Sequence, residues 1–435
     1  MSSSTQPEAS GVKGTDSGIQ SFLVSFGPGL LWAGSAIGVS HLVQSTRAGA
    51  TAGFALTGVI IFALALKYPF FEFGPRYAAA TGESLIEGYR RIGRWAVWLY
   101  LFIMLSTVVF ANSAVLLFTS ALFQYALGTS FSPTLASAVV YAGCLLLLWV
   151  GHYKALDLAI KIIVLVLALS TLVAASLILP QADFSDLSLL PLAPSGGTVT
   201  LAFMLALAGW MPTGIEASTL SSLWTLAKDK STNVRTSVST ASLDFNIAYV
   251  GTGILAFAFL ILGAVVMYGS GETFSPAPAG FSTQLIALYE STLGGWAGPI
   301  VVTAAVTAMF STALTVMDGY PRAIDRAVKV IQTDDPDQTA NADISAPYWI
   351  ALIAIGVLMT LFLHLFVSSL TQMIDFVTII SFMTGPILGY LNLKAVTSPN
   401  VPKEHQPGKA MVAFSYFGLV SMVVVAIIFL MSRVG

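Results

Sequence analysis

Charge is what this sequence has least of. Of its 435 residues, 9% are Asp, Glu, Lys or Arg, where a soluble domain carries roughly a quarter. There is no basic run, so nothing points to nucleic acid. There is one cysteine, Cys144, in the apolar run YAGCLLLLWV. A single cysteine forms no internal disulfide and leaves the redox compartment open. Walker loops, zinc-ligand spacings and nucleophile elbows are missing, and no loop is long enough for a nucleotide-binding domain. A soluble enzyme and an ATP-driven pump are thereby excluded. The first stretch, MSSSTQPEASGVKGTDSGIQ, lacks the charged-then-apolar form of a cleavable signal and reads as a disordered cytoplasmic tail over residues 1–20.

What is present is apolar. Hydrophobic residues make up 56% of the chain, and the mean hydropathy is +0.83. That composition belongs to a multi-pass membrane protein. A crossing helix needs about 20 apolar residues. By that ruler there are eleven spans, near 22–49, 52–76, 95–123, 134–152, 156–179, 198–226, 245–269, 295–317, 347–368, 371–395 and 410–432. They form a single transmembrane domain over 21–435. Lysines and arginines gather in alternate loops: Arg76 to Arg94, Lys154, Lys228 to Arg235, Arg322 to Lys329, and Lys394 to Lys409. Lys13 lies on the same side. The opposite loops are nearly free of positive charge, with Arg47 and Arg433 as exceptions. The positive-inside rule then puts the N-terminus in the cytoplasm and the C-terminus outside a cell inner (plasma) membrane.

Two spans are interrupted at matching places. Span 1 carries Gly38-Val39-Ser40-His41 in its middle, and span 6 carries Met211-Pro212-Thr213-Gly214. Proline removes a backbone donor and glycine weakens a helix. Span 1 opens the first five spans and span 6 the second five. Matched breaks in two halves point to a transporter site at an inverted-repeat interface. The expected repeats are about 22–179 and 198–395, with an extra helix at 410–432. Unwound backbone at that depth must be buried or line a cavity.

The residues GPGLLWAGSAI and RAGA of span 1, RYAAATG of span 2 and WMPTGIEAS of span 6 resemble the Nramp (natural resistance-associated macrophage protein) transporters. The resemblance runs from Gly27 to about Leu393. It implies a LeuT-type 5+5 inverted repeat with discontinuous helices 1 and 6, working by alternating access. It also implies a break in span 1 reading Asp-Pro-Gly-Asn, where this chain has Gly38, Val39, Ser40 and His41. Met211 matches the family's metal-binding methionine, Thr213 replaces a histidine, and Asn112 is the nearest counterpart of an acidic residue in the third helix. On the same resemblance, Ser311 and Thr312 of span 8 would complete a sodium site with carbonyls of the first break. Lys161 of span 5 is a rival for that coupling role, since some relatives of the fold use a fifth-helix lysine in place of sodium.

The residues leave the substrate open. His41, Met211 and Glu216 could hold a transition metal, but the carboxylate of the first break is absent. Thr213 and Glu216 also form a Thr-x-x-Glu capping box, so Glu216 is either a cap or a ligand and proton carrier. Two half-helix N-termini, with Ser40, His41 and Thr213, favour an anion instead. Lys67, with Glu72 five residues on, is an intramembrane charge that could snorkel, and Asp375 lies near the outer end of span 10. The expectation is a monomeric secondary transporter of a small inorganic ion, with bicarbonate ahead. Its substrate residues would be Gly38, Ser40, His41, Met211, Thr213, Gly214 and Glu216, with Na⁺ or H⁺ as coupling ion and no other cofactor. A divalent-metal (Mn²⁺, Fe²⁺ or Mg²⁺) importer is the competing reading. An uncoupled channel or membrane sensor is the third.

Overall fold

A computed structural model describes residues 27–150, 153–192, 199–333, 344–366 and 369–434, with backbone alone for 153–164 and 434. The expected tail lies outside these residues. Eight helices among them are long and apolar enough to cross a membrane. They are α3 (Thr57–Thr81), α5 (Arg94–Leu127), α6 (Pro133–Val150), α10 (Val238–Val266), α12 (Ala297–Gln332), α13 (Ala346–Phe366), α14 (Leu370–Val396) and α15 (Lys409–Val434). The other three expected spans fall on α7 (Tyr153–Ile178) and on two broken segments. The first is α1 (Pro28–Ala36), a π-helical turn over Ser40–Ser45, then α2 (Thr46–Ala52). The second is α8 (Leu201–Gly209) followed, after an unwound stretch, by α9 (Ala217–Thr232). Short α4 (Leu85–Ile92) and α11 (Pro278–Leu293) lie between spans.

Several helices run past the limits that hydropathy sets. α3 extends to Thr81 and α12 to Gln332 because their charged residues are paired on the helix surface. Glu72 with Arg76, Asp318 with Arg322 and Asp325 with Lys329 are each four residues apart and in ion contact. Such pairs let a helix leave the apolar layer without unwinding.

The half-helices are held by backbone-to-backbone approach. α2 crosses α10 so closely that a Cβ on Gly263 would stand 2.0 Å from the Thr46 carbonyl oxygen. A Cβ on Gly209, at the end of α8, would stand 1.9 Å from the Thr378 oxygen of α14. Small residues at crossings are how membrane helices gain packing without a hydrophobic drive between them. These two contacts fix where each break sits against its neighbour.

Gly263→Val should therefore force α2 and α10 apart and lower the melting temperature in detergent, at an overpacking cost of about 1–3 kcal/mol or more. Gly251→Val on the same helix, where a Cβ meets nothing within 4 Å, should leave it unchanged. Equal melting of the two variants would contradict the crossing.

Candidate functional site

The two breaks meet around a small buried cavity of about 40 Å³. Ser35, Ala36, Val39 and Ser40 line it from the first break, and Trp210, Thr213 and Glu216 from the second. α12 contributes Thr312, Val316 and Tyr320. The space would hold an ion or a few waters. Glu216 is its one charged side chain among the lining residues. The Glu216 carboxylate folds back over Gly214, where a Cβ would be 2.2 Å from one of its oxygens. The hydroxyls of Ser381, at 3.4 Å, and Tyr320 donate to it.

The capping box is not formed. α9 begins after Glu216 and has no side-chain cap. Glu216 closes over the glycine because Gly214 has no side chain to keep it out, and Thr213 instead faces the cavity.

Lys67 takes a place the sequence does not suggest. It is buried, and its ammonium donates to the carbonyl oxygens of Ala208 (3.0 Å), Gly209 (2.9 Å), Met211 (3.0 Å) and Thr213 (2.7 Å). They lie at the end of α8 and in the unwound stretch, where regular helical bonding stops, and the Ala208 oxygen also accepts from the Met211 N–H at 3.4 Å. The Phe71 ring lies 5.7 Å from Nζ on another side. Lys67 neither snorkels nor meets Glu72. Glu72 is held by Arg76 and by the Ser242 hydroxyl at 2.7 Å.

His41 and Met211 are turned away from the cavity, which corrects their assignment as ligands beside Glu216. His41 is fully buried, its Nε2 donating to the Thr252 carbonyl of α10 at 3.0 Å. Its Nδ1 sits 2.8 Å from the Ser40 hydroxyl and 3.0 Å from the Ala36 carbonyl oxygen. The π-helical turn rotates the ring to the α10 side. Met211 is fully buried in an apolar cluster with Leu207, Leu260 and Ala264. Among the described residues, no three His, Cys, Asp or Glu side chains gather as a metal would need.

The remaining candidates fall into two groups. Gly38 packs on Thr312, where a Cβ would be 2.9 Å from the threonine methyl. The Thr312 hydroxyl lies 2.9 Å from the Gly34 oxygen, 3.1 Å from Ala308 oxygen and 3.5 Å from Ile37 oxygen. Ser311 Oγ faces Gly34, 3.6 Å from where its Cβ would be. The Thr312 hydroxyl thus sits among two carbonyls of the first break and one of its own helix, with Ser311 Oγ close to Gly34. Lys161 lies on α7, but its side chain is outside the described residues. Asn112 donates to the Val108 carbonyl of its own helix at 2.9 Å. At the bundle end opposite the basic loops, Arg47 grips Asp375 through two bonds of 2.7 and 3.1 Å, with Gln44 on the same carboxylate at 3.1 Å. This clamp joins α2 to α14. The sequence left Arg47 as an exception to the charge rule, and the ion pair accounts for it.

Broken helices paired across a buried polar centre, in a bundle of membrane-spanning length, define a LeuT-type transporter. The comparisons say which kind. The family model described as natural resistance-associated macrophage protein-like matches residues 29–432, and the chain belongs to that family of ion transporters, not to an enzyme family. An uncharacterized protein of Pasteurella multocida (strain Pm70) is 33% identical over 420 residues, covering 94% of this chain and 93% of that one. A mutant manganese transporter of Eremococcus coleocola shares the fold with TM-score 0.70 at 13% identity, over 97% of this chain and 89% of that one. MhsT in complex with L-phenylalanine follows at TM-score 0.58 and 15% identity, over 92% and 97%.

His41→Phe keeps a ring and removes its buried hydrogen bonds. It should lower the melting temperature by the equivalent of about 1–3 kcal/mol and leave ion affinity unchanged. An affinity loss at unchanged stability would return His41 to the binding site.

Proposed function

We propose that this transporter is a sodium-coupled symporter of a small inorganic anion, with bicarbonate the first to test. The observation that carries this reading is the place of Lys67. Its ammonium fills the carbonyls of the second break that a cation substrate would use, and its charge offsets that of Glu216.

The charge count supports an anion. Lys67 and Glu216 together are neutral. Sodium would bind at the carbonyls of Gly34, Ile37 and Ala308 with the Ser311 and Thr312 hydroxyls, adding one positive charge. A monovalent anion beside Trp210 and Thr213, at the positive end of α9, restores neutrality. A divalent metal would leave the buried site with three uncompensated positive charges if sodium stayed. Each uncompensated buried ion costs several kcal/mol, more than any one hydrogen bond to it returns. A soft metal would in addition lose His41 and Met211, which face elsewhere. In this reading the basic loops face the cytoplasm, and Arg47 with Asp375 closes the outer side.

A divalent cation remains the competing substrate, because the Eremococcus coleocola protein is a manganese transporter of the same fold. It would rely on Glu216 as its one charged ligand in the cavity.

In proteoliposomes, labelled bicarbonate uptake should follow an inward sodium gradient, while Mn²⁺ and Mg²⁺ uptake should stay at background. Thr312→Val should raise the sodium needed for half-maximal uptake about tenfold or more, the equivalent of about 1.4 kcal/mol for one lost ligand. Sodium-independent Mn²⁺ uptake that Glu216→Gln abolishes would replace the anion with the metal. Flux without a gradient requirement would make the protein a channel.

A further inference from the structure

The four carbonyls around Lys67 have the form of an ion site. They come from Ala208, Gly209, Met211 and Thr213, and their oxygens stand 2.7–3.0 Å from one nitrogen. An ammonium has three hydrogens, so four acceptors exceed what ordinary one-to-one bonding would require. Cages of backbone carbonyls are how proteins replace the hydration shell of a monovalent cation. The separations are those of charge-assisted nitrogen–oxygen bonds. They are wider than the 2.3–2.6 Å of a small hard cation such as Ca²⁺. Carbonyls left bare at this depth are costly, and the end of α8 adds the negative pole of its dipole. Thr213 supplies one wall of the cage and also lines the central cavity, so the two share that residue.

We propose that the break between α8 and α9 is a monovalent-cation site of ammonium and potassium size, which Lys67 keeps permanently filled from α3. Lys67 is then a tethered ion. It travels with the protein through every cycle and removes one exchangeable cation from the transport stoichiometry. It is a positioning residue, holding the unwound stretch in shape for whatever the cavity binds. The inference goes beyond the substrate reading, and its rubidium-binding and melting measurements need no substrate, so either can fail alone.

The test vacates the cage in the full-length protein. Purified Lys67→Ala should bind one labelled rubidium ion per chain, displaced by ammonium and potassium and not by lithium, while wild type binds none that ammonium displaces. The melting temperature of Lys67→Ala should rise with potassium or ammonium chloride relative to choline chloride, and that of wild type should not. In proteoliposomes the variant's uptake of its ion should become dependent on potassium or ammonium. A merely structural lysine would show no such rescue. A monodisperse Lys67→Ala that binds no rubidium overturns the proposal. So does Lys67→Met with wild-type stability and transport in choline, because an unfilled cage would then cost nothing. Failure to recover Lys67→Ala even when it is solubilised in potassium or ammonium chloride also overturns it, since the cage would then accept only its tether.

Discussion

The structure depends on what happens to the carbonyls of a helix broken in apolar surroundings. α8 ends at Gly209, and the chain runs unwound to Glu216 before α9 begins. Water is not there to satisfy the freed groups. One side chain from α3 does so, at four bonds of 2.7–3.0 Å. The position of Thr213 and the shape of the cavity wall follow from where that ammonium holds the backbone. Lys67 and Glu216, both buried, bring one basic and one acidic side chain to the same break.

The first break is stabilised differently. Its groups are met by side chains one at a time. The Ser40 hydroxyl lies 2.7 Å from the Ala36 oxygen and 2.9 Å from the Pro212 oxygen, and its one hydrogen is shared between them. Thr312 reaches Gly34, and His41 ties the turn to α10. Hydroxyls that donate to carbonyls keep their lone pairs turned outward, and carbonyls keep their second lone pair. The break in span 1 is therefore a collection of oxygen acceptors suited to a small hard cation. The break in span 6 already has its cation. In the reading proposed above, this asymmetry between two formally equivalent halves would separate coupling ion from substrate.

Much of this was legible in the sequence. The breaks stood out because Gly38 to His41 and Met211 to Gly214 interrupt apolar runs, and a membrane leaves few other uses for such residues. That the chain is a multi-pass bundle of apolar helices followed from the length of its apolar runs. Helix ends were less legible, because i,i+4 ion pairs such as Asp325 with Lys329 extend a helix beyond its apolar part. Of the residues expected to bind substrate, Ser40, Thr213 and Glu216 line the cavity, and His41 and Met211 do not. Periodicity places a residue on a helix face only while the helix is regular. The π-helical turn at Ser40–Ser45 shifts the phase, and the unwound stretch after Gly209 has no phase at all. Lys67 was visible as an intramembrane charge, yet its partners are backbone atoms, and backbone carbonyls carry no sequence signal beyond the break itself.

The replacement of Asp-Pro-Gly-Asn by Gly38-Val39-Ser40-His41 now has a physical counterpart. A Cβ at position 38 would stand 2.9 Å from the Thr312 methyl, so a carboxylate there would require Thr312 to shift. It would also place a second negative charge near Glu216, with one lysine to offset both. Without that carboxylate the centre demands less positive charge, and the Lys67 ammonium on the carbonyls of the second break supplies one. In the reading proposed above, both features favour an anion in the cavity over a divalent cation.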